Sequence, residues 1–212
     1  MYSAARFPVA AAIIAFWTLS SLLVSYYVYD LKSVTRWQWI PAALSFSPQR
    51  WVNIHAGLDQ STAILAQFFP GTQHKVVDIY DPLEMSEPSI ARARRLHTPT
   101  EAVVSGRLDA LPVPDREGDT VFLLFSAHEI RKRCRRADFF LECSRVMTDS
   151  GQLLLVEHMR DWINFVAFGP GFLHFHPRSE WLRLARDAGL KVQREQYLTP
   201  FVRCFLITKA GA

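Results

Sequence analysis

The chain has few of the residues that staple a small fold. Three cysteines, Cys134, Cys143 and Cys204, occur in 212 residues, and no two form a C-x-x-C pair. An odd count without paired spacing argues against a disulfide framework and a zinc knuckle, and fits a reducing compartment. Cys134 and Cys143 fall within one helical pattern, where a buried thiol is the expected role. Charge imbalance is small as well. The net charge is +4, and the basic residues cluster only at Arg131-Lys132-Arg133 and Arg135-Arg136. No nucleic-acid partner is expected from so slight an excess, and that run reads as the solvated start of a helix. Hydrophobic residues make up 50% of the chain and charged residues 21%, which excludes a disordered polypeptide. No internal repeat and no low-complexity tract is present.

Charge is missing altogether from Pro8 to Tyr29, a run of 22 residues reading PVAAAIIAFWTLSSLLVSYYVY. As a helix it spans about 33 Å, enough for a bilayer core of about 30 Å. Tyr26, Tyr27, Tyr29, Trp37 and Trp39 suit an interfacial aromatic belt. The run is long for a cleaved signal peptide, and no small-x-small site follows it. Residues 1–30 are therefore read as a single-pass membrane anchor with the lipid bilayer as its partner. Residues 31–50 read as a juxtamembrane linker with a short helix lying on the membrane, and 51–212 as one domain. Arg6 flanks one side and Lys32 and Arg36 the other. That bias places the C-terminal domain in the cytoplasm.

Beyond residue 50, strand and helix patterns alternate. WVNIH (51–55), KVVDIY (75–80), a short strand at 101–105, TVFLLFS (120–126) and GQLLLVE (151–157) read as strands. The last two are continuous apolar runs, expected of parallel strands buried on both faces. Helices are expected over 60–69, from Ser86 to Leu96 with Pro88 in the first turn, over 135–147, and over 177–188 ending at Gly189. Two closing strands follow at 191–197 and 202–208. The fold class is α/β, a doubly wound and mainly parallel sheet preceded by the apolar helix. Ligands of such sheets bind at the carboxyl ends of the strands, so function should concentrate just after residues 55, 80, 126 and 157.

Four blocks carry a resemblance over residues 51–208: LAQFFPGTQHKVVDIYDP (65–82), DALPVPDREGDTVFLLFSAHEI (109–130), FFLECSRVMTDSGQLLLVEH (139–158) and HPRSEWLRLARDAGLKV (176–192). Their order and spacing resemble class I S-adenosylmethionine (SAM)-dependent methyltransferases of the ubiquinone/menaquinone-methylase type. The resemblance implies a Rossmann-like seven-stranded sheet whose last strand is antiparallel, with SAM as cofactor. Asp78, at the end of the second strand, matches the acid that takes the ribose hydroxyls. The glycine-rich turn after the first strand departs from the family's acid-x-Gly-x-Gly-x-Gly. Asn53, His55, Gly57 and Asp59 stand at those positions, and Gly57 alone survives. Arg107 replaces the acid before the Leu-Pro dipeptide, with Asp109 two positions on. The cofactor-binding candidates are thus Asn53, His55, Gly57, Asp78 and Asp109.

Polar residues gather at the expected strand ends. His128 and Glu129 follow the fourth strand and are the candidates for catalysis, with His128 as base or substrate-orienting group. His158, Phe172, His174 and His176 are the candidates to line the substrate. The segment Asp161–Pro177, rich in aromatics around Gly169-Pro170-Gly171, reads as an insertion covering a hydrophobic acceptor or as membrane-contacting side chains. No residue is assigned to a metal, although a histidine–carboxylate cluster could ligate one.

Three functions are consistent with these residues. The first is a membrane-anchored methyltransferase acting on a hydrophobic small molecule of quinone or lipid type. The second follows a partial similarity to the family that makes rhodoquinone, seen in the apolar N-terminal segment, the altered glycine turn and His128-Glu129. It implies an atypical SAM-using enzyme that needs a metal. The third is a non-catalytic subunit of a membrane complex that kept the fold.

Overall fold

The computed structural model describes residues 6–32, 34–85, 90, 92, 94, 95 and 102–211. The apolar run forms helix α1 (Arg6–Ser25), continued by a π-helical turn at Tyr26–Leu31. The stretch Phe7–Arg36 is long and apolar enough to cross a membrane by length and composition. A 3-10 turn (Val34–Arg36) and helix α2 (Ile40–Ala43) follow. Val28 of the apolar segment and Val34, Trp37, Ile40 and Ala43 of residues 31–50 are buried against the domain. Helix α2 contributes Ile40 and Ala43 to that packing.

The sheet is built from β1 (Arg50–His55), β2 (Gln73–Asp78), β3 (Val103–Ser105), β4 (Gly118–Leu124), β5 (Met147–His158), β6 (Leu190–Thr199) and β7 (Val202–Lys209). These seven strands lie in the order β3-β2-β1-β4-β5-β7-β6. The first five are parallel, and β7 runs antiparallel to both neighbours. Helices α3 (Thr62–Phe68), α4 (Arg133–Val146), α5 (Trp162–Phe168) and α6 (Arg178–Asp187) complete the chain. The cap expected at Ser86, Pro88, the helix end at Leu96, and Glu101 lie outside the described residues. Ile90, Arg92, Arg94 and Arg95, within them, are helical.

Side-chain alternation sorts the sheet's two faces. Val121, Leu123, Leu153, Leu155, Phe205 and Ile207 point to one core, with Phe139, Phe140, Cys143, Trp181 and Leu184 of α4 and α6. Phe122, Leu154, Val156, Cys204 and Leu206 point to the other, with Leu65 of α3 and Val28, Trp37 and Ile40. A sheet covered on both faces needs the continuous apolar runs seen at β4 and β5. Of the two cysteines in α4, Cys143 is buried and Cys134 is exposed. The basic run is likewise split. Arg136 is buried, donating at 2.9 Å to Glu180 and at 2.7 Å to the carbonyls of Ile130 and Arg131. Arg136 therefore ties the loop after β4 to α6.

Candidate active site

The register of the sheet sets His55 beside Asp78, and Leu124 beside Val156, at the carboxyl edge. A cavity of about 240 Å3 opens there, lined by residues that include Asn53, His55, Ser61, Ser126, His128 and Glu129. A second, of about 430 Å3, is lined by Ile79, Tyr80, Asp81, Arg107, Leu108 and Arg135 among others. Asp78 stands between the two. Its Oδ1 lies 3.7 Å from His55 Nδ1 of the first cavity and accepts the Tyr80 N–H of the second at 2.9 Å. That same oxygen accepts the Gly57 N–H at 2.9 Å. Gly57 has φ +89°, a conformation that only glycine adopts without strain. The Asp78 Oδ2 is taken by the guanidinium of Arg94, which also covers the Tyr80 ring at 4.5 Å.

The altered turn is ordered by its own polar side chains. Asn53 is buried and donates to Ser61 Oγ at 2.9 Å and Thr62 Oγ1 at 2.7 Å. Asp59 Oδ1 accepts the backbone N–H groups of Ser61 and Thr62, each at 3.0 Å. Burial opposes ionisation of Asp59, but these hydrogen bonds outweigh it and hold the carboxyl below its usual range. The carboxylate thus turns toward the start of α3 and satisfies donors that helix entry leaves open.

The second polar group sits after β4. Phe125 adopts a left-handed φ of +55°, a strained conformation for a bulky residue. The next residues, Ala127–Glu129, form a 3-10 turn. Glu157 is fully buried. It accepts the N–H groups of Ala127 at 2.9 Å and His128 at 3.1 Å, and contacts His128 Nδ1 at 2.6 Å. The other ring nitrogen of His128 lies 3.3 Å from Glu129, which is 3.7 Å from His174 Nε2. Burial alone would lower the pKa of His128. The two carboxylates outweigh it and raise the pKa to about 10, so the ring is an imidazolium at neutral pH. Burial works against ionisation of Glu129, but hydrogen bonds from His128 and His174 hold its carboxyl well below the usual range. The ligand atoms of His128, Glu129 and His174 lie within 4.8 Å of one another, a spacing that a cation could bridge.

Four of the expected residues line the first cavity, Asn53, His55, His128 and Glu129, with Gly57 and Asp78 bonded to each other beside it. Asp109 stands apart. It is exposed, bound by Arg107 at 3.0 and 3.1 Å and by Arg135 at 3.1 Å. The Arg107 hydrogen bond depresses its pKa most. Of the four expected substrate-lining residues, His174 lies nearest, its ring 5.2 Å from that of His128. His158 is buried and stacks on Phe175 at 4.8 Å. Its Nδ1 donates to the Phe201 carbonyl at 3.0 Å, leaving Nε2 to accept the Tyr29 hydroxyl at 2.8 Å. Burial first, and His128 second, lower its pKa to about 4. His176 is buried edge-on against Trp181 at 5.5 Å. Phe172 packs on Phe165 at 5.1 Å. None of these four lines the first cavity.

Trp37, read from the sequence as part of an interfacial aromatic belt, and Ser126, which did not stand out, also line that cavity. Trp37 belongs to the segment read as a linker. Ser126 Oγ is buried with no hydrogen-bond partner. A serine ending an apolar strand carries no signal of that kind. Glu157, a carboxylate closing an apolar strand, carries one: a charge in such a run needs a partner.

Residues 56–155 match the model of a family described as a methyltransferase domain. No curated protein matches the chain. Among solved structures, the PH0226 protein from Pyrococcus horikoshii superposes with a TM-score of 0.63 at 13% identity, covering 85% of this chain and 91% of its own. A SAM-dependent methyltransferase from Aquifex aeolicus superposes with a TM-score of 0.61 at 17% identity, covering 86% and 92%. The O-methyltransferase NcsB1 from neocarzinostatin biosynthesis, in complex with S-adenosylhomocysteine and 1,4-dihydroxy-2-naphthoic acid, reaches 0.56 at 18% identity, covering 90% and 57%.

Proposed function

We propose that the chain is a class I SAM-dependent methyltransferase, a reading supported by the family match over residues 56–155 and the shared fold, and that its N-terminal helix holds it at a membrane, where it methylates a hydrophobic small molecule of quinone or lipid type. The observation that carries this reading is the reach of the apolar N-terminal segment into the site. Trp37 lines the first cavity. Tyr29 and Trp37 flank Phe125 at ring distances of 6.2 and 5.9 Å. A wall contributed by the anchor's own continuation suits an acceptor that resides in the bilayer.

The residues present fit SAM. Gly57 lets the backbone turn close against Asp78, and Ser126 offers a buried hydroxyl without a partner. The two cavities on either side of Asp78 suit a molecule with two polar ends. Asp78 would take the ribose hydroxyls in place of Arg94, while Asn53, His55 and Gly57 shape the turn. Bound SAM supplies an electrophilic methyl group. The chain's part is then chiefly positioning. Glu129 Oε2 is buried without a hydrogen-bond partner, so it would accept a hydrogen bond from an acceptor hydroxyl and orient its oxygen toward the methyl group. His128, fixed as an imidazolium by Glu157, would hold Glu129 in place and stabilise negative charge building on the acceptor oxygen.

The test uses the full chain in lipid vesicles with SAM carrying a tritiated methyl group, and a membrane lipid extract or a dihydroxynaphthoate as acceptor. Label should pass into the organic phase, and calorimetry should give a micromolar dissociation constant for SAM, about −8 kcal/mol. Binding without transfer to any hydrophobic acceptor would overturn the substrate class.

A second reading, an atypical metal-dependent SAM enzyme, is favoured by the His128–Glu129–His174 cluster. Glu157 at Nδ1 would then be the outer carboxylate that orients a ligating imidazole. Turnover that vanishes with a chelator and returns with Mn2+ would favour it over the first. Activity indifferent to the chelator would dismiss it.

A further inference from the structure

The apolar N-terminal helix is long enough to cross a bilayer, and its second half is docked on the domain along one face. Residues 7–16 are exposed throughout, but from Trp17 onward one face of the helix meets the domain. Trp17, Ser20, Ser21, Val24 and Tyr27 are half-buried and Val28 is buried, a spacing of three and four residues that marks one side of a helix. On the opposite face Leu19, Leu22, Leu23 and Tyr26 stay exposed, so the helix offers apolar side chains to lipid along the docked stretch as well. Lipid around that stretch would also meet the element on which the helix is docked.

That element is α5 with the 3-10 turn after it, Gly169–His174. Trp17 meets Phe165 edge-on at 5.7 Å. The Ser20 hydroxyl reaches the Val166 carbonyl at 3.5 Å. A Cβ on Gly169 would lie 2.5 Å from the Trp17 ring. This is also where the domain exposes a dense group of large apolar side chains. Trp162 is 72% and Leu173 55% exposed, and Ile163, Phe165 and Val166 lie exposed between them. The stretch 162–173, WINFVAFGPGFL, carries no charge. Its polar side chain, Asn164, is buried and donates to Asp161 at 3.1 Å and to the Phe201 carbonyl at 3.2 Å. An apolar patch of this kind marks an interaction surface.

We infer that residues 162–173 form a second membrane-inserted element, which enters the acyl chains beside α1 and sinks one edge of the domain into the lipid. This rests on the reading of α1 as membrane-inserted. Two observations meet in it: the docking of α1 on this element, and the uncharged apolar patch that the element exposes beside it. The carboxyl edge of the sheet lies next to this element, since His158, which ends β5, contacts Phe168 at 5.7 Å. A bilayer-borne acceptor would then have a short route to the site.

The test uses the full chain with Cys134→Ser, reconstituted in vesicles of phosphatidylcholine and phosphatidylglycerol. A fluorophore is placed in turn at Trp162→Cys, Leu173→Cys, Ile13→Cys on the free half of α1, and Leu141→Cys, exposed on α4. Quenching by acyl-brominated lipid is compared with quenching by aqueous iodide. Labels at 162 and 173 should lose fluorescence to brominated lipid as fully as the label at 13, while the label at 141 responds to iodide. Lipid quenching at 13 with iodide quenching at 162 and 173 would overturn the inference and leave the anchor standing. Iodide quenching at 13 would end both. Protection from both quenchers at 162 and 173 would overturn it in favour of a second copy covering the patch.

Discussion

Glu157 holds His128 at both its backbone N–H and its ring Nδ1, at 3.1 and 2.6 Å, from a position with no solvent exposure. The pair fixes which nitrogen of His128 faces the cavity. Glu157→Gln keeps the shape of the side chain and an oxygen for the backbone donors, but removes the charge that holds the imidazolium. Turnover should fall about 10- to 100-fold, in the range of lost positioning. SAM affinity measured by calorimetry should stay within about twofold, because Glu157 touches neither Asp78 nor the Gly57 turn. Equal losses in affinity and turnover would show that Glu157 holds up the whole edge rather than His128.

Asp78 and Arg94 make opposite predictions for the cofactor. Asp78→Ala removes the acceptor proposed for the ribose and should weaken SAM binding by about 1–3 kcal/mol, roughly 10- to 100-fold. Arg94 occupies the same carboxylate with its side chain 38% exposed. A partly solvated pair of this kind is worth under about 1 kcal/mol. Arg94→Ala should therefore tighten SAM binding about two- to fivefold by freeing Oδ2. Weaker binding in Arg94→Ala would mean that the guanidinium itself holds the ligand. Titration calorimetry of both variants separates these outcomes.

The buried histidines give the protein an acid limit. His158 and His176 are held neutral, chiefly by burial, with pKa values lowered to about 4 and about 3. In the unfolded chain both titrate near 6.5. Between these values the unfolded state binds more protons than the native one, so stability falls as the pH falls below about 6.5. For His158 alone the loss by pH 4 is on the order of 3 kcal/mol. Thermal melts of the full chain in detergent should drop steeply from pH 6.5 to 4. Replacing His158 with Gln should flatten that slope, and an unchanged slope would show that carboxylates such as Glu180 set the limit instead.

The sheet could be read from the chain because its signals are local. Val121, Leu123, Leu153 and Leu155 sit in unbroken apolar runs, and a run buried on both faces has one structural solution. Asp78 and His128 could be placed because strand ends set the carboxyl edge. What escaped depends on distant partners. Arg94 caps Asp78 from sixteen residues away, and Tyr29 meets His158 across 129. The turn of the Asp59 carboxylate toward the start of α3 hides in a motif read only for lost glycines. The docking face of α1 is masked because Trp17, Ser20, Val24 and Val28 lie in a run with no charge to mark its other side. Periodicity cannot distinguish faces that are all apolar or small.

Gly169 tests whether α1 and the domain form one unit. Its φ is +54° with ψ −139°, a region essentially confined to glycine, and its face lies under the Trp17 ring. Gly169→Ala therefore meets two obstacles, a backbone cost of about 1–3 kcal/mol and a Cβ at 2.5 Å from an aromatic ring that would have to move. Pairing it with Trp17→Ala distinguishes them. If the ring is the main obstacle, the double variant should recover most of the melting temperature lost by Gly169→Ala, because the two sites share one contact and their effects are not additive. If the backbone dominates, the double variant should melt no higher than the single one. Recovery would establish that the helix and the 162–173 element are packed together in the folded chain, the arrangement on which their joint entry into the bilayer depends.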